Sequence, residues 1–172
     1  MLRVVLTGGP GSGKSTTLGA LVKCGFEIRS DSARTIITRR KAKGLSPRPE
    51  PAEFAQEIIT AELSSFQAAT TSPTFFERGV VDALGMAQHA GVMDATALSE
   101  MAAQLRYCDK VFLFPPWQEI YVTDAERDQT LEEAAAVYRS TLAWYPKFGY
   151  DLVEVPFGSP ENRAKFILAE LG

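Results

Sequence analysis

Gly8-Gly-Pro-Gly-Ser-Gly-Lys-Ser-Thr16 places Gly8, Gly13, Lys14 and Ser15 at the fixed positions of G-x-x-x-x-G-K-[ST], the P-loop pattern. Consecutive backbone N–H groups must turn inward to make an anion nest, and a chain curls that tightly only where side chains are absent or small. Gly8, Gly9, Pro10, Gly11, Ser12, Gly13, Lys14, Ser15 and Thr16 are therefore expected to cradle a nucleoside triphosphate. Lys14 would reach the β- and γ-phosphates and Ser15 would hold Mg2+. The flanks agree. Arg3 to Thr7 is a short apolar run of strand type, and Leu18, Leu21 and Val22 recur at helical spacing until Gly25 ends the pattern. Strand, loop and helix follow in the order that aims a helix N-terminus at the anion.

The 172 residues are one domain's worth, expected to fold as a single unit over 1–172. Eighteen basic residues against 21 acidic ones give a net charge of −3, so no global attraction to nucleic acid or anionic membrane is expected. Cys24 and Cys108 have no C-x-x-C spacing and no histidine cluster around them, which indicates neither a disulfide framework nor a thiolate metal site and suits a cytoplasmic protein. The N-terminal apolar run is short for a signal peptide, and no apolar run approaches the length of a membrane span. His89 is the single histidine, and no nucleophile pattern surrounds it.

Outward from the loop, strands and helices alternate. Glu27 to Ser30 reads as a second strand with Asp31 at its tip, and Ser32 as the N-cap of a helix faced by Ala33, Ile36 and Ile37. Arg39, Arg40, Lys41 and Lys43 crowd that helix's end as a solvated complement to its dipole, and Gly44 stops it. Pro47, Pro49 and Pro51 break the chain, and Pro51 is placed to start a helix with an inner stripe of Phe54, Ile58, Ile59, Leu63 and Phe66. Thr74 to Phe76 form a third strand before Glu77-Arg78-Gly79, with a helix to about His89. Asp94 caps another helix, marked by Leu98, Met101, Ala102 and Leu105. Val111 to Phe114 is a fully apolar fourth strand, closed by Pro115-Pro116-Trp117. Thr130 and Glu133 make a capping box for a helix with an inner face of Leu131, Ala134, Ala135, Tyr138, Leu142 and Tyr145. Leu152 to Val155 is a fifth strand, and Ser159-Pro160 opens a last helix packed through Ala164, Ile167, Leu168 and Leu171. The expected class is α/β, with a mainly parallel sheet and right-handed crossovers.

In such sheets ligands sit beyond the carboxyl ends of the strands. Five tips then converge: the P-loop, Asp31, Glu77-Arg78, Pro115 to Trp117, and Pro156-Phe157. Phosphoryl transfer asks for a metal-bound nucleotide, a positioned acceptor and cations on the equatorial oxygens. Glu77 is assigned to Mg2+, through water, and Asp31 to the acceptor hydroxyl and its proton, with the plainer alternative that each acid complements the helix after it. Arg78 and Arg127 are candidate charge stabilisers. Trp117 has two readings, base stacking or lid packing.

The residues Asp31-Ser-Ala-Arg34, Phe75-Phe-Glu-Arg-Gly79, Arg106-Tyr107, Val111-Phe-Leu-Phe-Pro-Pro-Trp117, Ile120-Tyr121, Asp124-Ala-Glu-Arg127, Glu132-Glu-Ala134, and Gly149-Tyr150 to Glu154-Val-Pro156, taken with the P-loop, resemble a family of small, AAA-like predicted ATPases. That family is grouped with the ribosylnicotinamide kinase domain of a bacterial NAD regulator and with a eukaryotic GTP-binding trafficking protein. Glu77-Arg78 is also similar to the acid-Arg pair of deoxynucleoside and thymidylate kinases, and Arg127 to a kinase lid arginine. The resemblance implies a nucleoside-kinase-like P-loop fold with strand order 2-3-1-4-5 and a lid at about 115–130. It implies Mg2+ and ATP, with GTP left open, and a small hydroxyl- or phosphate-bearing acceptor, nucleoside-like in character. The competing reading is a nucleotide-hydrolysing or nucleotide-binding switch without a small-molecule acceptor. Against a guanine-specific switch, no Asn-Lys-x-Asp follows the fourth strand. Asp82 to Gly85 spells D-x-x-G, but it falls inside an expected helix and is read as coincidence.

Overall fold

The computed structural model describes residues 1–121 and 130–172, apart from the side chains of Ala95 and Leu98. Among the described residues, five strands form one sheet: β1 (Arg3–Gly8), β2 (Glu27–Arg29), β3 (Thr74–Glu77), β4 (Lys110–Phe114) and β5 (Asp151–Glu154). Their order is β2-β3-β1-β4-β5, and every pairing is parallel. The expected 2-3-1-4-5 arrangement is therefore what the chain adopts. The helices are α1 (Lys14–Lys23), α2 (Ser32–Ala42), α3 (Pro51–Gln67), α4 (Val80–His89), α5 (Ala95–Gln104), α6 (Leu131–Trp144) and α7 (Pro160–Leu171).

The period of two along the strands divides the core between the two faces of the sheet. Val4, Leu6, Phe75, Phe112 and Phe114 face α1 and α7, where they meet Leu18, Leu21, Ala164 and Ile167. Val5, Phe76 and Val111 belong to the cluster on the opposite face, with Ile36, Phe54, Ile58, Ile59, Leu84 and Tyr145. Both faces are covered, which is why β1, β3 and β4 are buried almost throughout.

Several local expectations are corrected. The N-cap of α2 is Asp31, whose carboxylate accepts from the Arg34 N–H, and Ser32 is already helical and buried. The cations at the end of α2 are not simply solvated, because Arg39 pairs with Glu57 and Arg40 pairs with both Glu53 and Glu57 on α3. Leu142 is exposed, as is Val22, while Thr141 takes the buried place beside Ala134 on α6. The shift follows from helical geometry: Ala134, Thr141 and Tyr145 are separated by seven and four residues and share one face. The capping box of Thr130 and Glu133, the cap of Asp94 on α5 and the proline start of α3 are found as expected.

Candidate active site

The loop after β1 closes into its curl because of what surrounds it. Gly8 has φ +126, and a Cβ there would overlap the carbonyl oxygen of Phe114 on the neighbouring strand. Gly13, at φ +86, is the left-handed N-cap of α1, and a Cβ there would run into the guanidinium of Arg163. Among the described residues no side chain caps α1, which leaves its N-terminus open to an anion held by the loop. Lys14 is only 4% exposed, and its Nζ donates to the carbonyls of Gly9 at 2.7 Å and Gly8 at 3.2 Å. Burial pushes its pKa down to about 7; Arg78 adds to this, and the carboxylates of Glu77, Asp31 and Asp82 oppose it.

Ser15 Oγ donates to Glu77 Oε1 at 2.7 Å, so the first turn of α1 and the tip of β3 meet through two oxygen-bearing groups. Such a pair suits a hard cation of the Mg2+ type, which keeps several waters and takes few protein ligands. Among the described residues no cluster of three or more His, Cys, Asp or Glu forms a metal cage.

Beside Glu77, Arg78 adopts φ 68, a left-handed backbone in a residue that is not glycine. Its Nε lies 3.3 Å from Asp31 Oδ2 and its Nη1 3.5 Å from Asp82 Oδ1. Burial works against the guanidinium's charge, but Asp31, Asp82 and Glu77 outweigh it and hold its pKa above the ordinary arginine value. Asp82 accepts from Thr7 Oγ1 and Tyr145 Oη, both at 2.6 Å, and from the Gly79 N–H at 3.0 Å. Its D-x-x-G context does lie inside α4, and the residue serves to lock β1, the β3 tip and the end of α6 together.

A cavity of about 1560 Å3 joins these groups, lined by the P-loop, Asp31, Glu77, Arg78 and Asp82, and extending between α2, α3, α4 and α6. Beside the P-loop stand Trp117, Ile120 and Arg163. The Arg163 side chain is buried, donates from Nη1 to the Ser12 carbonyl at 2.9 Å, and lies over the Trp117 ring at 4.4 Å. Its Nε is buried without a hydrogen-bond partner among the described residues. Trp117 in turn stacks on Phe157, their centroids 5.0 Å apart. The tips of all five strands thus lie on one rim. Lys14, Ser15, Asp31, Glu77 and Arg78 are brought together there; Arg127 and half of the expected lid fall within residues 122–129, outside the described residues.

Three residues of this site escaped the sequence reading: Asp82, Glu62 and Arg163. Glu62, on α3, is 3% exposed and faces the cavity. Burial pushes its carboxyl up to about 7; the hydrogen bond from Ser32 pulls it down, Asp82 and Asp31 add to the rise, and Arg78 opposes it. Glu62 and Arg163 each left a signal, a charge set within an apolar helical stripe. Glu62 follows Ile58 by four residues, and Arg163 precedes Ile167 by four.

A family model described as an AAA domain matches residues 3–163. Among solved structures, the chain is similar to a deoxyadenosine kinase from M. mycoides with the products dCMP and a flexible dCDP bound, at 15% identity, covering 99% of this chain and 98% of that one, with a TM-score of 0.68. It is also similar to a shikimate kinase from Acinetobacter baumannii in complex with shikimate, at 16% identity over 99% of this chain and 93% of that one, TM-score 0.59. A shikimate kinase from Aquifex aeolicus gives 18% identity, 99% and 96% coverage and a TM-score of 0.58. At these identities the likeness establishes the fold, that of P-loop kinases. No curated protein matches the chain.

Proposed function

The chain belongs to the AAA domain family, and from that premise we propose that it is a magnesium-dependent phosphotransferase. It binds ATP, with GTP as the competing donor, and moves the γ-phosphoryl group to a small nucleoside-like acceptor. The observation that carries this reading is the meeting of Lys14, Ser15, Glu77, Arg78 and Asp31 on one cavity, with an anion nest at one side and room for a second ligand at the other. A switch needs the nest alone.

The P-loop N–H groups and Lys14 bind the phosphates; an anion placed there favours the charged form of Lys14, which burial alone disfavours. Ser15 and Glu77 are the residues that would hold Mg2+, Glu77 through water, and the ion would supply charge neutralisation on the phosphate oxygens. The acceptor oxygen forms a new bond to the γ-phosphorus as the bond to the β,γ-bridging oxygen breaks. The hydroxyl proton passes to Asp31 and on to solvent, and the nucleoside diphosphate leaves. Arg78, held by Asp31 and Asp82, sets a fixed positive charge beside the transferring group. Arg127 is assigned to a lid over about 115–130 in a single domain covering 1–172. No described helix is long and apolar enough to cross a membrane, and the free thiols of Cys24 and Cys108 suit a reducing cytoplasm.

Thermal shift with Mg·ATP and Mg·GTP tests the reading. Ligand at about 100 times its Kd adds about 2.7 kcal/mol, several degrees for a chain of this size. Lys14→Ala is expected to abolish the shift. Asp31→Asn is expected to keep the shift and suppress transfer, and normal transfer by that variant would remove Asp31 from its role.

A further inference from the structure

The cavity's volume exceeds the roughly 300–1,000 Å3 of a pocket built for one small ligand. Away from the P-loop it continues between four helices, where Ile37, Phe54, Ile58, Ala83, Val137 and Trp144 supply apolar walls, two of them flat rings. Its polar side is unlike its walls. Asp31, Glu62 and Asp82 gather there with one guanidinium, that of Arg78, whose Nε and Nη1 already point at Asp31 and Asp82. The lining holds other cations as well: Lys14 and Arg163 at the P-loop, and Arg34, Arg48 and His89. Arg34 also lines a side groove with Ser15 and Glu77, on the phosphate side, and Arg48 and His89 are exposed.

From this arrangement we infer that the chamber between α2, α3, α4 and α6 is an acceptor site for a phosphate-free alcohol with a flat apolar body, and that Glu62 reads the acceptor's polar group. The inference rests on the phosphotransferase reading and narrows it. A phosphate monoester entering the chamber would bring about two negative charges to three carboxylates and a guanidinium already spoken for. A hydroxyl or ring N–H instead finds carboxylate acceptors on the polar side and apolar faces to stack on. Glu62 suits this task because its carboxyl is shared between the protonated and ionised forms near neutrality, so it can donate to or accept from the ligand.

Matched pairs of acceptors test it on the full chain. ADP release from Mg·ATP is measured with each common ribo- and deoxyribonucleoside and with its 5′-monophosphate. At least one nucleoside is expected to raise release tenfold or more over Mg·ATP alone and to exceed its monophosphate. A monophosphate that is the better of its pair, or a panel in which no nucleoside exceeds the background, overturns the inference. Loss of the Mg·ATP thermal shift itself would instead overturn the phosphotransferase reading, so the two failures are distinguishable. The isosteric Glu62→Gln, with the nucleotide thermal shift as its folding control, is expected to raise the acceptor KM about tenfold while leaving the nucleotide KM within twofold. An unchanged acceptor KM, or an equal rise in both, removes Glu62 from this role.

Discussion

Asp82 accepts hydrogen bonds from three elements at once: Thr7 on β1, the Gly79 N–H at the head of α4 and Tyr145 after α6. It also flanks Arg78, whose left-handed backbone needs neighbours that hold it in place. Removing the carboxylate would strand the Tyr145 hydroxyl, the Thr7 hydroxyl and one side of a half-buried guanidinium. Asp82→Ala is therefore expected to cost about 3–5 kcal/mol in chemical denaturation. Asp82→Asn, which keeps an acceptor oxygen, should cost less than half as much. Equal stability of wild type and Asp82→Ala would show that water replaces these contacts. Sequence alone could not assign this work, because a lone aspartate three residues past a glycine also fits a plain helix start.

At the scale of elements, α2 and α3 form one wall of the cavity, and their attachment is electrostatic as well as apolar. Arg40, with 13% of its side chain exposed, reaches both Glu53 and Glu57. A partly buried network of this kind contributes about 1 kcal/mol. Arg40→Ala is expected to lower stability by that amount and to raise amide exchange in α2 relative to β1; uniform exchange across both would contradict the local role. The strands, the P-loop, the caps at Asp94 and Thr130 and the start at Pro51 were legible because each carries its own local pattern. The α2–α3 clasp was not, since Arg40 and Glu57 lie seventeen residues apart and nothing local links them. Leu142 misled for a related reason: at the margin of an apolar stripe, only the packed neighbour decides which side is covered.

For the molecule as a whole, Glu62 couples stability to pH. Its folded pKa, about 7, lies above the ordinary glutamate value of 4.5, so the native state binds more protons than the unfolded chain between those values. Its contribution is fully present below about pH 4.5 and is lost as pH rises through 7, a change on the order of 3 kcal/mol. Thermal melts of wild type against Glu62→Gln should therefore diverge progressively between pH 5 and 8, the variant gaining relative to wild type; parallel curves would place the carboxyl in an ordinary aqueous environment. Apolar periodicity and the loop motif made the α/β order and the shared rim readable, but the walls of the cavity come from helices remote in sequence and only the tertiary packing assembles them. That packing leaves the chain's two indoles at separate stations: Trp117 against Arg163 near the loop, and Trp144 bonded to the Val81 carbonyl between α4 and α6. The molecule thus carries two built-in fluorophores. With Trp144→Phe the remaining emission should respond to Mg·ATP, and with Trp117→Phe it should respond to an alcohol substrate, so that donor and recipient can be titrated by separate optical signals in one cuvette.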